Sequence, residues 1–266
     1  MENIYFALTE AFNRDVPTVA LASGQAVVFY RVAIMSKDGD WVIRETPDAC
    51  ERVLSELERR GARYRIGAPL DVRWLAGGWS SHFEFFDDRR RRVRCDFVSR
   101  PPRVLPASLA SVFGGVRRET LLAVDLESLI LMKQTQRAKD YAVIGELATR
   151  LPPDREVELT TDPDRIIALA ESAGKASVRP AVQAALSPAG RRAVVAALAM
   201  EADELQLRDA ARVKEYEDAA QAYVAECRTA RLADLPLGEA HAWLCDVAER
   251  RLPTDVRGST RRADAE

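Results

Sequence analysis

The sequence predicts an α+β protein: a mixed sheet core flanked by helices, followed by an all-helical C-terminal region. Two patterns carry that expectation. In the first hundred residues, short β-prone runs alternate with stretches of 3.6-residue apolar spacing. From about residue 155 alanine becomes common, β-branched alternation stops and helical spacing dominates. Length agrees, because 266 residues at 47% apolar can bury one large core or two small ones. The expected divisions are 1–152 for the mixed domain, 153–253 for a helical domain and 254–266 for a polar tail.

Taken in order, residues 4–12 read as a short helix, and 18–22 as a β-prone run ending at Ser23-Gly24. Residues 25–30 start another helix and 41–43 form a second strand. Residues 47–60 read as a helix, with Thr46 as N-cap, Pro47 in its first turn and Gly61 past its end. Residues 67–78 are rich in loop formers. Residues 82–86 and 93–98 read as antiparallel strands turned by the polar segment 87–90. A short strand is expected at 121–124. Asp125 then caps a helix running to Lys133, and a further helix covers 139–151 until Pro152-Pro153 ends it. Beyond lie helical patterns at 164–172, 178–186, 188–213, 218–228 and 235–251.

Composition excludes several classes. Thirty per cent of the residues are charged, with a formal net charge of −2, so the chain is not a strongly basic nucleic-acid binder. The basic side chains lean toward the first 150 residues, 23 Lys and Arg against 20 Asp and Glu. No run is long and apolar enough for a membrane helix. The opening residues show no secretory pattern, so the expected compartment is the cytoplasm. Four scattered cysteines and two histidines give neither a disulfide framework nor a zinc cluster. A metal, if used, is held by carboxylates, which suits Mg²⁺.

The chemistry-bearing candidates begin in the segment 23–43. A strand ends at a small-residue pair, Ser23-Gly24, and a helix leads away. Glycine lets backbone approach a phosphate, and N–H groups at a helix start point at an anion. Asp38 and Asp40 lie two apart, so in an extended strand they share a face. Asp96 is an acid inside an apolar strand. If its strand pairs beside Asp40, three carboxylates converge, and such a set can hold two Mg²⁺ ions. Lys133, Arg137 and Lys139 would add positive charge. Each signal also has an ordinary explanation: 37–40 reads as a hairpin turn, Ser23 as an N-cap, Asp96 as an arginine's partner. His82 and His241 read as structural or surface residues.

Together these residues resemble the core of the nucleotidyltransferase superfamily, the DNA polymerase β-like fold. Within it they are similar to the bacterial AbiEii-type group, many of whose members are toxins of toxin–antitoxin pairs. The resemblance rests on Ser23, Gly24, Ala26, Ser36, Asp38, Asp40 and Asp96, and on the stretch from Leu129 through Lys133, Arg137 and Lys139 to Asp140. It covers roughly residues 15–150. It implies a metal-dependent enzyme that moves a nucleoside monophosphate from an NTP to a hydroxyl. The acceptor would be an RNA 3′ end such as tRNA, a protein or a small molecule; a toxin role would add an antitoxin partner.

By the same resemblance Asp38, Asp40 and Asp96 hold the metals and Lys133 balances transition-state charge. Ser23, Gly24, Ser36, Lys37, Arg137, Lys139 and Asp140 contact the nucleotide. The family commonly has Gly where Arg31 stands and Arg where Ile34 stands, and tends to have an acid where Val143 stands. Those departures motivate an alternative: a catalytically weakened nucleotidyltransferase-fold protein acting as a nucleotide- or protein-binding module.

Overall fold

The computed structural model describes residues 3–114, 120–135, 137, 139–173, 175–188, 190–230 and 232–256. It is α+β, with a five-stranded mixed sheet flanked by helices and a long helical region toward the C-terminus. Helix α1 spans Ile4–Phe12, capped by the Asn3 side chain, which accepts from the Tyr5 N–H. Strand β1 is Val19–Ala22, followed without a break by α2, Ser23–Phe29. Strand β2 is Gly39–Ile43 and helix α3 is Pro47–Arg59, with Thr46 capping as its sequence signals. Gly61 follows α3 at φ 66°, a left-handed position suited to glycine.

The loop-rich stretch holds more order than its composition suggests: β3 at Arg63–Tyr64 and α4 at Val72–Leu75, capped by Asp71. Strands β4, Ser81–Phe86, and β5, Arg92–Val98, form the expected hairpin. Helix α5, Pro106–Phe113, begins on a proline that fits a first helical turn. The strand expected at 121–124 is reduced to one bridge, Leu21 to Ala123.

The strands run in the order β1-β2-β5-β4-β3. Only β2 and β5 are parallel; the other neighbours are antiparallel. Register gives each face a distinct character. Trp41 pairs with Phe97, and their rings stack 5.2 Å apart on the buried face. Phe12 packs edge-on against both rings. Gly39 is needed there, since a Cβ would come within 2.5 Å of the Trp41 and Tyr5 rings. One residue along, the row Ala22, Asp40, Asp96, His82 crosses the other face of four strands.

The chain divides into two compact units, residues 1–124 with 214–266, and residues 125–213. Their boundaries fall elsewhere than the expected division after residue 152. The chain returns to the first unit because its late helices pack there. Helix α11 runs Gly190–Thr229 as one helix of 40 residues, where two separate patterns, 188–213 and 218–228, were expected. Its second half is tied down by Tyr216 O–H to Gly77 O at 2.6 Å and Tyr223 O–H to Gly67 O at 2.8 Å. Helix α12, Leu237–Arg251, brings His241 to the Tyr64 hydroxyl at 2.8 Å. Of the expected polar tail, residues 257–266 lie outside the described residues.

The second unit is helical. It comprises α6 (Leu126–Lys133), α7 (Asp140–Ala148), α8 (Pro153–Leu159), α9 (Pro163–Ala173), α10 (Pro180–Leu186) and the first part of α11. Pro152-Pro153 ends one pattern and starts another, with Pro153 in the first turn of α8. Val157, Ile166, Ala181, Val182 and Val194 form its core.

Candidate active site on the polar face of the sheet

Strand register places Asp40 directly opposite Asp96 on parallel strands, so both side chains rise from one face. Ala22, the last residue of β1, is the partner of Asp40 on its other side. Helix α2 therefore starts beside these acids. Ser23 opens it at φ 45°, a left-handed conformation that a side chain rarely adopts. Gly24 lies so close to Ser36 that a Cβ would fall 2.2 Å from its Oγ. Gln25 is buried and donates from Nε2 to the Ser36 carbonyl at 2.9 Å, while Asn3 donates to Gln25 Oε1 at 3.0 Å. The α2 start and the 36–38 loop are thus held as one piece.

Tyr5 supports that loop from below, donating its O–H to the Lys37 carbonyl at 2.6 Å. Burial above all, with the nearby Asp38 and Asp40 charges adding, pushes the Tyr5 phenol up to about 12. It stays protonated, and a donor, at neutral pH. The Lys37 side chain is exposed.

Two of the three carboxylates, Asp38 and Asp96, meet basic side chains. Arg94, two residues before Asp96 and on the same face, reaches Asp38 Oδ1 at 3.5 Å. Asp96 Oδ1 takes two contacts, His82 Nδ1 at 2.8 Å and Arg65 Nη1 at 3.2 Å. The donor types, three carboxylates, are those a hard divalent ion prefers. Their arrangement is not: among the described residues no group of three or more His, Cys, Asp or Glu side chains is gathered to hold a metal ion. The trio as it stands does not fit a two-Mg²⁺ centre, since the three carboxylates are not gathered and Asp38 Oδ1 and Asp96 Oδ1 each carry a basic partner.

The other expected contacts belong to the second unit. Lys133 is buried, 7% exposed, and its Nζ lies 3.4 Å from Asp140 Oδ1. Arg137 reaches Asp140 Oδ2 at 2.9 Å and Thr135 donates to the same oxygen at 3.2 Å. Lys139 is exposed, at the start of α7. Within this unit Asp140 is the hub of a cluster whose Lys133–Asp140 pair is buried.

Sequence reasoning passed over His82, Arg65, Arg94 and Ser80. A cavity of about 970 Å³ opens at the far ends of β2 and β5, lined among others by Arg44, Arg100, Phe113 and Tyr216. None of the expected site residues lines it. The open polar row on the sheet is therefore the better candidate for chemistry, because it gathers acid, base and cation within hydrogen-bonding distance.

No family model matches the chain, and no curated protein matches it. Two solved structures from Helicobacter pylori are similar in fold. One, described as a "putative nucleotidyltransferase", is 13% identical with a TM-score of 0.40, covering 77% of this chain and 93% of its own. The other, JHP933, is 12% identical with a TM-score of 0.41, covering 79% and 93%. Among the described residues no helix is long and apolar enough to cross a membrane.

Proposed function

We propose that the chain is a nucleotidyltransferase-like enzyme that transfers a nucleoside monophosphate from an NTP to a hydroxyl group and releases pyrophosphate. The observation that carries this reading is the register pairing of Asp40 with Asp96, beside the Ser23-Gly24 turn that is locked to the Asp38 loop. The same residues carry the sequence resemblance. Arg65 and Arg94 are the guanidinium groups within this cluster, and their planar forks match phosphate oxygens. An RNA 3′ end, a protein or a small-molecule acceptor, the AbiEii-type grouping, a toxin role with an antitoxin partner, and Mg²⁺ itself come from the resemblance alone.

The test is transfer of α-labelled NTPs to total tRNA and to protein, with and without Mg²⁺. Label that requires Asp40 and Asp96 supports the reading. Label that persists in the Asp40→Ala, Asp96→Ala double variant overturns the roles assigned here.

A second reading has its own observation. Asp38 and Asp96 already have arginine partners, Arg94 and Arg65. In that case the fold is a catalytically weakened nucleotide- or protein-binding module, and NTP binding without any transfer is its signature.

A further inference from the structure

His82 bridges two partners through opposite edges of its ring. Nδ1 lies 2.8 Å from Asp96 Oδ1, and Nε2 lies 2.9 Å from Ser80 Oγ. An ionised carboxylate only accepts hydrogen bonds, so Nδ1 carries the ring proton. Nε2 is then a lone pair, and the Ser80 hydroxyl donates to it. This is the connectivity of an activated serine: acid to Nδ1, base nitrogen to hydroxyl.

The ring is held in place by backbone. Ser80 immediately precedes β4 and His82 lies two residues on, so in extended backbone they share its polar face. The Arg65 N–H donates to the His82 carbonyl at 2.9 Å, and the Ala68 N–H to the Ser80 carbonyl at 3.0 Å. Gly67 lies over the imidazole, where a Cβ would come within 2.5 Å of Cδ2. The 65–68 segment thus covers the ring as an added edge. Ser80, His82 and Asp96 are all only half-buried. A hydroxyl held this way and still reachable is more than a satisfied core contact.

We propose that Ser80 is a nucleophile that accepts the nucleotidyl group itself, making the chain its own acceptor. The proposal rests on the nucleotidyl-transfer reading above. Ser80 Oγ forms a bond to the α-phosphorus of an NTP, the bond from that phosphorus to the bridging oxygen breaks, and pyrophosphate leaves. The hydroxyl proton passes to His82 Nε2. Asp96 is a positioning residue that fixes the tautomer and faces the imidazolium. Arg65 spends one guanidinium N–H on Asp96, and the rest of its fork can meet phosphate. That cation favours an anionic electrophile over a neutral ester.

The test uses the full chain with each α-labelled NTP, followed by peptide mapping. One nucleoside monophosphate on the peptide carrying Ser80 is the expected result. Ser80→Ala abolishes it and His82→Gln lowers it about a hundredfold or more. Ring ¹⁵N shifts give a readout that folding alone does not move, and with two histidines in the chain the signals are separable. His82 should be protonated at Nδ1, and Asp96→Asn should lose that preference. Label on another residue, label surviving Ser80→Ala, or an Nε2-protonated ring overturns the proposal. Label that passes to tRNA with none on the chain overturns it while leaving the transfer reading intact; no label on any acceptor removes both. A fluorophosphonate that labels Ser80 while no NTP does overturns the nucleotidyl assignment in favour of an ester substrate.

Discussion

Two aspartates in this molecule are each held by a pair of positive or potentially positive groups, and they differ in what surrounds them. Asp140 and Lys133 form a buried pair at 8% and 9% side-chain exposure, with Thr135 and the more exposed Arg137, at 49%, on the remaining oxygen. Asp96 sits with His82 and Arg65 at 24%, 27% and 32% exposure, on the open face of a sheet. A closed cluster must satisfy every charge internally, so it serves packing and orientation. A half-open one can exchange a protein partner for a ligand. The lysine that the sequence marks for catalysis is in the closed cluster, and the histidine it sets aside is in the open one.

The largest expected effect separates the two faces of β5. Phe97→Ala removes a ring stacked on Trp41 and should cost about 3–5 kcal/mol in urea unfolding. Asp140→Ala leaves Lys133 buried without its partner and should cost a similar amount, about 3–5 kcal/mol. Next comes Gly39→Ala, at about 1–3 kcal/mol, because the new methyl strikes Trp41 and Tyr5. Asp96→Asn should cost only about 1 kcal/mol while removing activity. Equal destabilisation by Asp96→Asn and Asp140→Ala would erase the distinction between the clusters.

The smallest effect concerns His241. Burial lowers its pKa from the usual 6.5, and its Nδ1 accepts from the Tyr64 hydroxyl only while neutral. The unfolded chain therefore binds the proton more readily. Stability should be full above about pH 6.5 and fall as the pH drops below it. His241→Gln should flatten that slope in unfolding measured from pH 7.5 to 5.

Much of the fold was legible because its residues obey local rules. Thr46, Asp125 and Gly61 announce helix ends through their own backbone needs. The period-2 alternation of β4 and β5 puts Asp96 on the polar side. The pairing of Asp96 with His82 was not legible, for a definite reason. The expected turn at 87–90 would pair residue 86 with 91 and residue 82 with 95. The turn spans 87–91 instead, so Phe86 meets Arg92 and His82 meets Asp96. Asp87 makes that turn by accepting the N–H groups of Arg89 and Arg91, with Arg90 at φ 59°. A shift of one residue exchanges the faces.

By itself, then, the chain's order of residues settled most of its longer elements, their mixed class and the acids worth watching, since propensity, capping and alternation act over a few neighbours. Only three-dimensional packing decided that residues 214–256 return to the sheet's unit and that Asp96 meets a histidine and an arginine. Those outcomes depend on register and on distant surfaces competing for the same contacts, which no short window of sequence contains.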